Sequence, residues 1–235
     1  MKRVVPLVGL SVAMVLSASM IAEAQSKKKG KEPELAISKR GKLIFEDDFS
    51  GKDFLWSFDE TKCQWKTIKG SLATKSSGVG AQLQVRTAFP SVKEFILEFK
   101  IWLPMQTDSY FYVGGIGGPT LPYGRLRHLG NAICVSIVTY YPGDTREHTP
   151  TSIPYRKPTW LEVVFEKLEN KYALTVAGKT MTYELPEADP TGKSSVLFCK
   201  SANNDELFAI DNVKIYEALP KDEGEDKDEK GKKNK

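Results

Sequence analysis

Histidine is almost missing from this chain: two in 235 residues, His128 and His148. No Gly-x-Ser-x-Gly elbow accompanies them, so a serine hydrolase of the elbow type is excluded. His-Glu-x-x-His is absent, and with it the zinc-peptidase helix. Cysteine is scarce too. Cys63, Cys134 and Cys199 allow one bridge at most, and without Cys-x-x-Cys they offer no thiolate zinc site. No stretch repeats its apolar residues with a helical period, so helices are not expected. Only one apolar run is long, and it lies at the N-terminus. The net charge of +4 is small, and the lysines crowd the two ends, which argues against a nucleic-acid partner.

The N-terminal run has the parts of an export signal. Lys2 and Arg3 lead, Val4 to Ala22 is mainly apolar, and Ala22-Glu23-Ala24 is a small-x-small cleavage site before Gln25. Residues 1–24 are therefore expected to be a signal peptide. No cysteine follows that site, so no lipoprotein anchor is expected, and no second run of spanning length follows. The protein is expected to be exported: periplasmic, at the cell surface or extracellular. Residues 25–40, with Lys27-Lys28-Lys29-Gly30-Lys31, read as a solvated linker, and 218–235 as a charged, disordered tail.

What remains, residues 41–217, alternates with period two. Phe95, Leu97, Phe99 and Ile101 share one side of a strand, with Glu94, Ile96, Glu98, Lys100 and Trp102 on the other. Phe111 and Val113 oppose Tyr110 and Tyr112, and Ile133, Val135 and Ile137 oppose Cys134, Ser136 and Val138. A meander follows: Trp160 to Leu168, a turn at Glu169-Asn170, then Tyr172 to Val176, and a tight turn at Ala177-Gly178-Lys179. About a dozen short strands between Gly and Pro turns predict an all-β sandwich or barrel.

The closing segment Phe208 to Tyr216 puts Phe208, Ile210, Asn212, Lys214 and Tyr216 on one side by strict alternation. Ala209, Asp211, Val213 and Ile215 fall on the other. Asp211 is then an acid among apolar neighbours and needs a partner or a solvent edge. Phe45-Glu46-Asp47-Asp48-Phe49-Ser50-Gly51 supplies a second acidic spot if the first and last strands meet, and two acidic spots together suggest calcium.

Phe45-Glu46-Asp47-Asp48-Phe49, Trp65-Lys66-Thr67-Ile68-Lys69-Gly70-Ser71-Leu72, Phe95-Ile96-Leu97-Glu98-Phe99 and Ile210-Asp211-Asn212-Val213-Lys214-Ile215-Tyr216 occur in that order. In this the chain resembles concanavalin A-like jelly rolls over about residues 41–217. The nearest types are laminin-G-like domains, family-16 glycoside hydrolase-like domains and the secreted bacterial 3-keto-disaccharide hydrolase domain. The resemblance implies a two-sheet antiparallel jelly-roll sandwich. It implies one structural calcium ion held by Asp211, the Gly70 carbonyl and an acid among Glu46, Asp47 and Asp48, with Asp48 chosen, and no organic cofactor.

Catalysis finds little support. Family-16 enzymes carry Glu-x-Asp-x-x-Glu, which this chain lacks. Glu94 and Glu98 share a side, but Ile96 stands between them. Sugar binding asks for less: aromatic rings for pyranose faces and polar groups for hydroxyls. Glu98, Trp102, Tyr112, Arg127, His128 and Tyr140 are the candidate ligand residues, with Lys100, Tyr110, Tyr123, Arg125, Arg146, His148 and Tyr155 nearby in sequence. No catalytic residue is named. The reading is an exported, non-catalytic domain binding a glycan or other extracellular polymer. Its rivals are an enzyme cleaving 3-keto-glycosides, with His128, His148, Glu98 or Tyr112 as base or polariser, and a protein-interaction module.

Overall fold

A computed structural model describes residues 32–51, 55–57, 64–74, 79–85, 93–105, 108–114, 122–141, 144–185, 195–201 and 207–221. It contains fifteen strands: β1 (Ser38–Asp47), β2 (Trp56–Ser57), β3 (Trp65–Ile68), β4 (Ser71–Thr74), β5 (Val79–Val85), β6 (Phe95–Trp102), β7 (Asp108–Gly114), β8 (Tyr123–Leu129), β9 (Ala132–Tyr141), β10 (Asp144–Pro154), β11 (Trp160–Leu168), β12 (Lys171–Val176), β13 (Lys179–Glu184), β14 (Ser195–Ser201) and β15 (Phe208–Pro220). They form two antiparallel sheets. An eight-stranded sheet runs β13-β12-β11-β6-β15-β4-β3, with β1 also on β15; a seven-stranded sheet runs β10-β9-β8-β7-β14-β5-β2. Among the described residues no helix is long and apolar enough to cross a membrane.

The core lies between the sheets and is made by the alternation seen in the sequence. Phe99 of β6 meets Phe111 of β7 and Phe198 of β14 edge-on, at 4.8 and 4.9 Å between ring centres. Leu97, Ile101, Val163, Phe165, Leu126, Val135 and Ile137 fill the same layer. Such interdigitated aromatics bury large apolar area and fix the sheets' separation. Gly124 is required here. A Cβ on it would lie 2.2 Å from Phe111 Cζ, inside the ring's own volume.

The meander follows the expected register. Phe165 pairs with Leu97 on β6 and Leu174 on β12, and the β12–β13 turn uses Ala177 and Gly178 at φ 48° and 77°. Two left-handed residues match the twist that a short hairpin needs.

β15 departs from simple alternation. Asn212 is left-handed (φ 51°), and the pairing with β6 shifts between Asp211 and Lys214. This bulge inserts one residue and reverses the phase beyond it. The core therefore takes Phe208, Ile210, Val213 and Ile215, while Ala209, Ala218 and half-buried Tyr216 join apolar clusters on the sheet's outer side. The expectation that Asp211 shares a face with Val213 and Ile215 is thus corrected. Asn tolerates the left-handed region better than most residues, which is why the bulge sits there.

The packed chain is longer than 41–217. β1 starts at Ser38, and Leu35 is buried against Ile96, Val164 and Ala218. At the other end Lys221 Nζ donates to the Leu35 carbonyl at 2.8 Å.

Cys134 is a free, half-buried thiol. It lies on β9 and Cys199 on β14, with β8 and β7 between. Three strand spacings are about 14 Å, twice the span a disulfide bridges. Cys63 lies outside the described residues.

Candidate functional site

The six candidate ligand residues do not share one face. Glu98 and Trp102 of β6 lie on the outer side of the eight-stranded sheet. Glu98 is held by Arg40, whose Nε donates to Oε1 at 2.6 Å while Nη2 lies 2.5 Å away. Burial raises the Glu98 pKa, and the Arg40 charge opposes that rise. Arg40 also donates to the Pro33 carbonyl at 2.8 Å, so Glu98 serves to fasten the N-terminal segment. Trp102 is buried edge-on to Trp160 and clustered with Ala73, Leu207 and Ala209. It presents no open ring for a sugar.

His128 is on neither outer face. It pairs in register with the core residue Ile133, is 5% exposed and packs its ring against Tyr155 at 5.6 Å. Tyr155 donates its hydroxyl proton to the Leu103 carbonyl at 2.7 Å and accepts from Thr159 N at 2.9 Å; burial pushes its pKa up to about 12. The β8 alternation explains the miss: His128 follows Gly124 and Leu126 inward, and Tyr123, Arg125 and Arg127 go outward. The second histidine is also occupied. His148 stacks on Tyr183 at 3.8 Å, shares a 2.7 Å hydrogen bond between Nε2 and Thr139 Oγ1, and has its pKa lowered by burial and then by Arg146.

Arg127, Tyr112 and Tyr140 belong to the seven-stranded sheet. By backbone register Arg127 lies between Asp108 and Cys134, Tyr112 is opposite Leu197, and Tyr140 is opposite Thr145. The side chains of Tyr112 and Tyr140 lie outside those described. Around Arg127 stands a charged cluster. Arg125 grips Asp108 with both Nε (3.1 Å) and Nη2 (2.5 Å), and its Nη1 donates to Glu147 Oε1 at 2.5 Å. Arg127 Nη2 reaches the same Glu147 oxygen at 3.5 Å. Tyr110 is level with Arg125 in the register, and Tyr123 is two residues before it on β8. Burial raises the Tyr123 pKa, against the pull of Arg125.

The cluster is recessed. Arg125, Asp108 and Glu147 keep only 16, 19 and 25% of their side-chain surface in contact with solvent. The three side chains cover one another through their ion pairs, which is why so little of each meets water. Arg125 was legible as a neighbour of Arg127. Asp108 and Glu147 were missed, because they are 17 and 22 residues from Arg125 and only register brings them together.

The residues assigned to calcium meet at a different corner. β4 and β1 lie end to end along one edge of β15: Leu72 pairs with Ile210 and Asp47 with Val213. Asp211 falls between those pairs, and Gly70 sits in the turn that leads into β4. Asp211 is buried, and its Oδ1 accepts from Asn212 N at 2.9 Å. The three N-terminal acids are engaged by the protein: Glu46 with Lys214, Asp47 with Phe49 N and Trp56 Nε1, and Asp48 with Ser50. Among the described residues no three His, Cys, Asp or Glu side chains come together as a metal site.

No family model matches the chain, and no curated protein matches it in sequence. Solved structures do match in fold. An endo-β-1,3(4)-glucanase of family GH16, SCLam, aligns with TM-score 0.59 at 10% identity, over 78% of this chain and 93% of that one. The carbohydrate recognition domain of Emp47p gives 0.56 at 10%, over 75 and 95%. The globular domain of T. cruzi calreticulin gives 0.55 at 12%, over 76 and 89%. The fold is therefore an all-β jelly-roll sandwich of the concanavalin A-like type.

Proposed function

We propose that this protein binds a glycan on the outer face of its seven-stranded sheet and does not cleave it. The observation that carries the reading is the recessed Asp108–Arg125–Glu147 cluster with Arg127 and Tyr123 beside it. Fixed carboxylates and guanidinium groups present paired acceptors and donors to vicinal hydroxyls, and a tyrosine ring covers an apolar sugar face. Named structural neighbours support it: a carbohydrate recognition domain, and carbohydrate-binding module CBM66 from Bacillus subtilis (TM-score 0.51, 10% identity, 72% of this chain and 99% of that one).

Retaining glycosidases need two carboxylates about 5 Å apart with the scissile bond between them. Here β8 offers Tyr123, Arg125 and Arg127 outward, and the two nearby acids are both tied to one guanidinium. Three of the four candidate bases count against a 3-keto-glycoside-cleaving enzyme: His128 faces the interior, His148 is stacked under Tyr183, and Glu98 lies on the other sheet, which leaves Tyr112 of β7 as the one on this sheet. Residues 1–24 are proposed to direct export, which brings the domain to extracellular polymers. The reading is tested by incubating residues 25–235 with a panel of polysaccharides and 3-keto-glycosides. Retention without new mass-detected products is expected; products would favour the enzyme over the binder.

A calcium ion, held by Asp211 and backbone carbonyls near Gly70, would brace the junction of β1, β4 and β15. Adding calcium at about a hundredfold its Kd is expected to raise Tm by about 5–10 °C, and chelation to reverse this. A Tm indifferent to both contradicts the ion.

A further inference from the structure

The four charges of the recessed cluster are not equally used. Arg125 has a carboxylate oxygen within hydrogen-bond distance of Nε, Nη1 and Nη2. Arg127 does not. Asp108 is its direct partner in the β7–β8 register, yet the Asp108 carboxylate turns to Arg125. Glu147 Oε1 lies 3.5 Å from Arg127 Nη2, too far for a hydrogen bond, and is already taken by Arg125 at 2.5 Å. Arg127 Nε is buried and, among the described residues, has no acceptor at all. A buried donor on a charged group is costly to leave unmet. The Arg127 side chain nevertheless keeps 36% of its surface in solvent, and since Nε is buried that surface lies on its other atoms, so a ligand approaches the two Nη groups.

We infer that the glycan carries a carboxylate, as a uronic acid does, and that Arg127 recognises it. This rests on the reading of the face as a glycan site. A planar carboxylate supplies the two parallel acceptors that a guanidinium fork matches, whereas a sugar hydroxyl supplies one. Two arginines and two acids leave the cluster with no net charge. The carboxylate is therefore selected by the geometry of the fork and not by a general positive field. Binding should weaken only slightly as salt rises, unlike attachment to a basic patch.

The experiment titrates the folded chain with an oligogalacturonate and with the same oligomer reduced at its carboxyl groups, by calorimetry. The wild type is expected to bind the acidic oligomer roughly tenfold more tightly than the reduced one. Arg127→Gln should abolish that preference, weakening the acidic oligomer by far more than the reduced one, and Arg127→Lys should restore part of it. Melting curves confirm that both variants are folded. Equal affinity for the two oligomers overturns the inference, as does an equal loss for both in Arg127→Gln; a neutral oligomer that still binds leaves the glycan reading standing. If no saccharide binds the wild type, both fall.

Discussion

Glu166→Gln should cost the fold about 2–3 kcal/mol and lower Tm by roughly 5–10 °C. Glu166 lies on β11, is 0% exposed and accepts four hydrogen bonds from the N-terminal segment. Oε1 accepts from Ala36 N at 2.7 Å. Oε2 accepts from Ile37 N at 3.1 Å, Ser38 N at 3.0 Å and Ser38 Oγ at 2.7 Å. Every partner is a donor, so an amide nitrogen cannot take either oxygen's place without facing at least one N–H. The least harmful flip sets it against Ala36 N and removes one bond, while the others lose their charge assistance. The loss has a visible consequence beyond Tm. Leu35 holds its place over Ile96 and Val164 because the following three residues are pinned by Glu166 and because Arg40 and Lys221 grip Pro33 and Leu35. Amides of residues 36–38 should exchange much faster in the variant than in the wild type, with those of β9 unchanged. A Tm within about 1 °C of wild type would mean that the segment is not part of the cooperative fold.

Arg125→Met should abolish glycan retention and destabilise by about 1–3 kcal/mol, less than the loss at a fully buried pair because water still reaches the cluster. The substitution leaves Asp108 and Glu147 facing each other without the guanidinium that separates them. Two further variants separate stability from binding. Arg125→Lys keeps the charge but cannot make the two-pronged contact with Asp108, so it should recover part of the stability and little of the binding. The triple change Asp108→Asn, Arg125→Met, Glu147→Gln removes the stranded charges and should melt near wild type while still failing to bind. If Arg125→Met binds glycans as the wild type does, the site is elsewhere.

Local sequence carried the strands and the two-sheet class, because alternation is a local property. The Phe95–Trp102, Ala132–Tyr141 and Trp160–Val176 stretches kept the faces that their apolar residues dictate. It failed where a single residue changed the phase. Asp211-Asn212 looks like two more strand positions, but a left-handed Asn212 turns Val213 and Ile215 inward. Sheet membership was also illegible. Glu98 and Trp102 precede Tyr112 by 14 and 10 residues, on consecutive strands, yet β6 and β7 belong to opposite sheets. One imagined groove thereby became two faces and an interior position for His128. The N-terminal segment was read as linker from its lysines. Its few anchors, Leu35 and Ser38, gain meaning only from Glu166, 128 residues after Ser38. The Asp108–Arg125–Glu147 cluster has the same origin: three residues far apart in sequence brought together by register.

The central claim is that the seven-stranded sheet's outer face holds the ligand. It is tested most directly by titrating the isotope-labelled chain with a retained oligosaccharide and following amide shifts by NMR. The account predicts saturable shifts at Tyr123 to Arg127, Asp108 to Tyr112 and Glu147, with β11, β12 and the outer side of β6 unmoved. Shifts confined to Glu98, Trp102 and the residues around Glu162 would place the ligand on the opposite sheet and contradict it.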